Sequence, residues 1–276
     1  MATHCKLPGK VYLVGAGPGS SKLLTLRALE VLRSADIVFH DDLVSDDVFA
    51  TIPARVAIYS VGKRCGLKKT SQDEINRRII AAAQNGQTVV RLKSGDPLVF
   101  GRTKEEIAAL RAANIDFEIV PGITAATAAA AAAQIPLTER RGASKLVFVT
   151  NHRCAGSERD WHKCVTEDAT LVFYMPGAEL GSLRRELEES GLSQETPCLS
   201  ISHVARPGQK IVRTNIRSLS FLLAQPTPSL LIVGPTTTSA RADETFLPND
   251  AVDLLSHRTG EEVSLDLSDE HQVIIG

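Results

Sequence analysis

The residues best suited to chemistry in this chain sit where short apolar runs end. Val89-Val90-Arg91-Leu92-Lys93 reads as a strand that stops at Ser94-Gly95-Asp96-Pro97, four residues that suit a tight turn. In open α/β sheets ligands collect beyond the carboxyl ends of strands. Gly95 would let a ligand approach the backbone there, and Asp96 would offer a carboxylate to its donors. The competing reading is an Asp-Pro turn whose carboxylate satisfies its own backbone. A second such point is Gly15-Ala16-Gly17-Pro18-Gly19, which follows an apolar run from Lys10 to Val14. It departs from a dinucleotide fingerprint, with Ser20 where the third glycine belongs and Pro18 inside the loop. Asp41-Asp42 and Gly62-Lys63-Arg64 occupy two more strand ends.

The elements that would position these groups alternate regularly. Strands at Lys10 to Val14, Ile37 to Phe39, Val56 to Val61, from Thr88 and at Phe117 to Val120 are separated by amphipathic runs, the pattern of a mostly parallel sheet. Ser71-x-x-Glu74 and Thr103-x-x-Glu106 have the form of capping boxes. After Pro121-Gly122-Ile123-Thr124, the run Ala125 to Ala133 is helical by propensity and has little side-chain bulk, so it should pack closely against a neighbour. A strand at Leu146 to Thr150 comes next, and the boundary between two domains is expected there, giving 8–150 and 151–235. The second domain should hold a mixed sheet, with Pro197 to Val204 and Lys210 to Arg213 forming a hairpin across Arg206-Pro207-Gly208. Residues 236–276 read as a loosely ordered polar tail.

Composition narrows the classes. A hydrophobic content of 43% suits a soluble core, and no apolar run of membrane-spanning length or secretory leader is seen, so a cytoplasmic protein is expected. A net charge of −1 gives no general attraction to nucleic acid or membranes, so an anionic ligand would need a local basic cluster. Five cysteines without a C-x-x-C pair are read as reduced thiols. His152-x-Cys154 and His162-x-Cys164 offer four potential metal ligands, but their spacing matches no standard zinc site and no metal is expected.

Taken together, G-A-G-P-G at 15–19, D-D-L-V at 41–44, G-K-R at 62–64, G-D-P-L-V-F-G-R at 95–102, P-G-I-T at 121–124 and I-P-L-T at 135–138 resemble the tetrapyrrole methylases, in unbroken order over about residues 8 to 235. The resemblance implies an α/β fold of two α/β domains with a cleft between them, a homodimer, and S-adenosyl-L-methionine as methyl donor, leaving S-adenosyl-L-homocysteine. It implies cofactor contacts at Pro18, Ser94, Gly95, Asp96, Val99, Thr124, Ala125, Met175 and Val204, and acid/base roles for Asp41 and Lys63. The implied reaction is C-methylation of uroporphyrinogen III at C2 and C7 to precorrin-2, for sirohaem or cobalamin. A later precorrin methyltransferase and a nicotinamide-dependent oxidoreductase are the alternatives. A macrocycle with eight acidic side chains requires convergent cations, for which Arg91, Arg102 and Arg140 are chosen, with Lys63, Arg64, Lys93 and Arg141 as further candidates. A sulfonium cofactor needs no phosphate cradle, so Pro18 is acceptable in the glycine turn. Because the resemblance leaves only the polar tail after Gly234, a single activity without a separate dinucleotide domain is expected. The chain departs from the family pattern at Ser94, at Met175-Pro176-Gly177 and at His203-Val204.

Overall fold

The structure is a computed structural model that describes residues 8–62, 70–151, 164–178 and 180–245. The first half alternates β1 (Val11–Gly15), α1 (Leu26–Ser34), β2 (Ile37–His40), α2 (Asp46–Phe49), β3 (Ala57–Ser60), α3 (Gln72–Gln84), β4 (Val89–Lys93), α4 (Thr103–Ala112), β5 (Phe117–Val120) and α5 (Ala125–Ala133). Its five strands form a parallel sheet in the order β3-β2-β4-β1-β5. Val14, Val38, Val90 and Leu92 face the α1 side with Val31 and Leu32, whereas Leu13, Phe39 and Val89 face the α3–α4 side with Ile75, Ile79 and Leu110. The neighbours β1 and β4 therefore send their following helices to opposite faces, and a crevice opens at their carboxyl ends.

The second half contributes β6 (Lys145–Thr150), β7 (Ala169–Tyr174), α6 (Leu180–Glu189), β8 (Pro197–Ser202), β9 (Lys210–Asn215), β10 (Ser229–Val233) and β11 (Glu244–Thr245). These make a mixed sheet in the order β11-β9-β8-β10-β7-β6. The expected hairpin is present as the antiparallel pair β8–β9. Because β6 pairs in parallel with β7, the change of sheet falls between Val120 and Lys145, ahead of residue 150. Backbone pairing, invisible to side-chain periodicity, decides that point.

Helix α5 joins the halves. Ala126, Ala129, Ala130 and Ala133 lie against Val172, Leu199, Ile201, Leu230 and Ile232 of the second sheet, and only methyl side chains allow that approach.

Two further expectations need correction. Ser71 does cap α3, accepting from Glu74 N at 3.2 Å, but Thr103 and Glu106 form no box. Arg102 is the cap residue of α4 at φ +55, Thr103 Oγ1 donates to the Pro97 carbonyl, and Glu106 turns into the core. Residues 236–245, expected to be loose, are tied down: Arg241 N bonds Ala133 O at 2.9 Å, Asp243 Oδ2 accepts from Ile211 N at 2.7 Å, and β11 pairs with β9.

Candidate functional site

Three glycine backbones close the crevice at the ends of β1, β4 and β5. Gly17 and Gly95 exchange both backbone bonds, at 3.2 and 2.8 Å, and Ala16 N reaches Lys93 O at 2.7 Å. A Cβ on Gly15 would lie 2.7 Å from Gly122 Cα and from Gly95 O, so no side chain fits where the turns meet. Gly95 is different. Its φ is +69, and a Cβ there would meet nothing nearer than 4.0 Å, pointing instead into a gap beside Thr124 Cα and Ala125 N. One backbone N–H, that of Ala125, borders this gap.

Both carboxylate oxygens of Asp96 accept from backbone amides, as the competing turn reading expects. Its Oδ1 accepts from Leu98 N at 2.8 Å, the self-satisfied turn, while Oδ2 accepts from Gly122 N at 3.0 Å and so staples the β4 turn to the β5 turn. Beside it, Thr124 Oγ1 is 2.5 Å from the Tyr174 hydroxyl, which also accepts from Ala126 N at 3.2 Å. The Tyr174 ring packs on Phe100 and Phe148, at 5.0 and 5.7 Å between centroids. Burial raises the Tyr174 phenol above the ordinary tyrosine range, so the hydroxyl stays protonated; the Thr124 and Ala126 bonds oppose the rise and Asp96 adds to it. Sequence reasoning missed Tyr174, although it immediately precedes Met175 and shares the α5-facing side of β7 with Val172.

The loops around the crevice are strained. Phe100, Arg102, Met175, His203 and Ala205 all have φ between +50 and +56 without being glycine. Left-handed backbone of this kind collects where a surface must be held in a set shape. Met175 is half exposed at the end of β7, Val204 is buried in the β8–β9 connection, and Val99 N bonds Asp96 O at 3.3 Å. Arg206, also missed as a positioning group, crosses between the halves: Nε donates to Pro18 O at 3.0 Å and an η-nitrogen donates to Leu43 O. A groove of about 980 Å³ runs beside it, lined by residues 42–47 from one half and 205–207 from the other.

The basic residues divide sharply. Arg102, paired with Glu105 at 2.7 Å, and Arg140 are exposed. Arg91 is only 2% exposed and turns its donors inward: it bonds Asp41 Oδ1, Glu106 Oε1 at 2.9 Å, and the carbonyls of Phe39 and Leu92. Lys93 is 3% exposed and bonds Glu106 Oε2 at 2.9 Å. The reason is the two-residue period of a strand. Arg91 and Lys93 project to the same face as Val89, which α3 and α4 cover. Burial disfavours the Arg91 charge, but Asp41 and Glu106 outweigh this and hold its pKa above the usual value; burial, helped by Arg91, pushes Lys93 down. Asp41 itself is partly exposed at the end of β2, next to the crevice strand β4. Lys63 and Arg64, like His152, Cys154 and His162, lie outside the described residues.

Three comparisons bear on this geometry. The family model for Tetrapyrrole (Corrin/Porphyrin) Methylases matches residues 10–220. The chain is 42% identical to a uroporphyrinogen-III C-methyltransferase of Paracoccus denitrificans over 88% of this chain and 85% of that one. It is 45% identical to a siroheme synthase of Zymomonas mobilis over 82% of this chain but 48% of that one, so it spans about half the length of that larger relative. Among solved structures, a uroporphyrin-III-C-methyltransferase from Thermus thermophilus superposes with a TM-score of 0.71 at 40% identity, covering 83% of this chain and 93% of the other. Another form from that organism, complexed with S-adenyl homocysteine, gives 0.72 at 33% identity over 83% and 98%.

Proposed function

The chain belongs to the tetrapyrrole methylase family, and from that premise we propose that it transfers methyl groups from S-adenosyl-L-methionine to carbon atoms of uroporphyrinogen III, at C2 and C7, giving precorrin-2. The identity to the Paracoccus protein named for this reaction, sustained over 88% of the chain, carries the proposal. Precorrin-2 would serve sirohaem or cobalamin formation. A homodimer in the cytoplasm belongs to the same reading and rests on the family resemblance; no helix among the described residues is long and apolar enough to cross a membrane.

S-adenosyl-L-methionine supplies an electrophilic methyl group on a sulfonium sulfur. The chain's task is to align that group with an electron-rich pyrrole carbon and to manage the proton lost afterwards. Pro18, Ser94, Gly95, Asp96, Val99, Thr124, Ala125, Met175 and Val204 are assigned to cofactor binding. The open gap at Gly95 and the nearby α5 N-terminus support this set. Asp41 is assigned as an acid/base group with Lys63, its Oδ1 oriented by Arg91. Arg102 and Arg140 are retained for substrate carboxylates, whereas Arg91 is withdrawn because its guanidinium is enclosed.

Asp96→Ala removes acceptors from Gly122 N and Leu98 N and lets the two turns separate. The expected loss is about 1.5–3 kcal/mol in the binding of S-adenosyl-L-homocysteine. Calorimetry on a folded variant with unchanged affinity would remove Asp96 from the site. Arg140→Glu should raise the KM for the tetrapyrrole several-fold and in a salt-dependent way, leaving the KM for the donor alone. Equal changes in both constants would point to damage to the fold instead. The function itself is tested with methyl-¹³C donor and uroporphyrinogen III. Two labelled methyl groups on C2 and C7 are expected, and a chain that leaves uroporphyrinogen III unlabelled but labels precorrin-2 would be a later precorrin methyltransferase.

A further inference from the structure

Among the described residues, an enclosed ionic set lies beneath the crevice. Glu106, on the inner face of α4, is 1% exposed and receives Arg91 Nε on Oε1 and Lys93 Nζ on Oε2, each at 2.9 Å. Gln72 Nε2 from α3 is the third donor to this carboxylate, reaching Oε1 at 3.2 Å. Arg91 then extends its far side to Asp41, while its Nη1 reaches the carbonyls of Phe39 and Leu92 at 3.4 and 3.3 Å. Three ionic side chains are thus enclosed behind one partly exposed carboxylate, Asp41, which stands 34% exposed at the strand ends. Buried ionic sets of this kind give little net stability over apolar residues of equal volume. Their distinctive property is geometry. A guanidinium held along its Nε edge by one carboxylate and at Nη1 by two carbonyls has one remaining orientation for Nη2.

We propose that Glu106 is a positioning residue for the methyl-transfer reaction, acting through Arg91 to fix the carboxylate of Asp41 at the crevice. The proposal rests on the reading of Asp41 as an acid/base group. Lys93 completes the set, in which two cations meet two carboxylates.

The experiment is a double-mutant cycle on the full chain: Glu106→Gln and Asp41→Asn, singly and together, with kcat, both KM values, S-adenosyl-L-homocysteine affinity and thermal unfolding measured for each. Glu106→Gln keeps the shape and one acceptor but loses the charge. It is expected to lower kcat by about a hundredfold, the scale of a small misplacement of a reacting group, with homocysteine-cofactor affinity unchanged. In the Asp41→Asn background the same change is expected to cost no further kcat. Glu106→Asp, which restores charge with a shorter reach, supplies the same cycle if the Gln variant does not fold, and should recover part of the loss. Multiplying kcat losses, or a parallel loss of cofactor affinity, would overturn the proposal while leaving Asp41 in its role. An Asp41→Asn chain with full kcat would overturn the reading of Asp41 and the proposal together.

Discussion

Glu106→Leu should destabilise the fold by about 3–5 kcal/mol, because it strands Lys93 without its carboxylate and leaves Arg91 half paired in a closed interior. The sign of the expected compensation matters more than the size of the loss. Replacing the set with apolar residues, as Glu106→Leu with Arg91→Met and Lys93→Met, should recover most of that stability, since the desolvation cost of the ions goes with them. Activity should not recover, because Asp41 then lacks the donor that orients it. Urea unfolding of the single and triple variants, read beside kcat, checks both halves. A triple variant as unstable as the single one would mean that the ionic set stabilises the fold in its own right.

The second large effect is expected at Gly122. An added Cβ would overlap Gly95 O and lie 2.8 Å from Gly15 Cα, and these are backbone atoms that cannot swing aside. Gly122→Ala should therefore cost about 1–3 kcal/mol by overpacking and force the β1, β4 and β5 turns apart. Cofactor affinity should fall with it, by tenfold or more. Gly181→Ala is the matching control. It lies in α6, where a Cβ would meet Ser220 Oγ at an ordinary 3.7 Å, so it should be neutral or stabilise by up to about 1 kcal/mol. Calorimetric titration with S-adenosyl-L-homocysteine and thermal unfolding of the two variants separate a crevice effect from a general intolerance of alanine.

Much of the framework was legible because each signal was local. Gly and Pro marked the turns at 15–19, 94–97 and 121–122, the two-residue and helical periods marked the strands and helices between them, and the alanine run read directly as α5. What could not be read depended on which face a neighbour covers. Arg91 and Lys93 sit at a strand end, as a ligand-binding cation would, and their alternation with Val90 and Leu92 tells only that they share a face. That α4 roofs this face, and that Glu106 looks inward with Leu110 one turn on, is tertiary information. The i to i+4 relation of Glu106 and Leu110 carried a hint, obscured by the resemblance of Thr103-x-x-Glu106 to a capping box. Tyr174 and Arg206 were hidden for a similar reason. Each makes its useful contact with a residue distant in sequence, Thr124 in one case and Pro18 in the other. The strand β11 was missed because two residues are too few to show a period.

Methylation of uroporphyrinogen III on carbon by this chain is tested most directly by the mass of the product. Uroporphyrinogen III, prepared and kept reduced, is incubated with the purified chain and S-adenosyl-L-methionine, and the macrocycle is weighed over the course of the reaction. The expected record is a mass that rises by one CH2, a methyl gained and a proton lost, and then by a second, stops there, and tracks the release of two equivalents of S-adenosyl-L-homocysteine. A macrocycle whose mass does not change, from a chain shown by calorimetry to bind S-adenosyl-L-homocysteine, would contradict the assignment of this substrate.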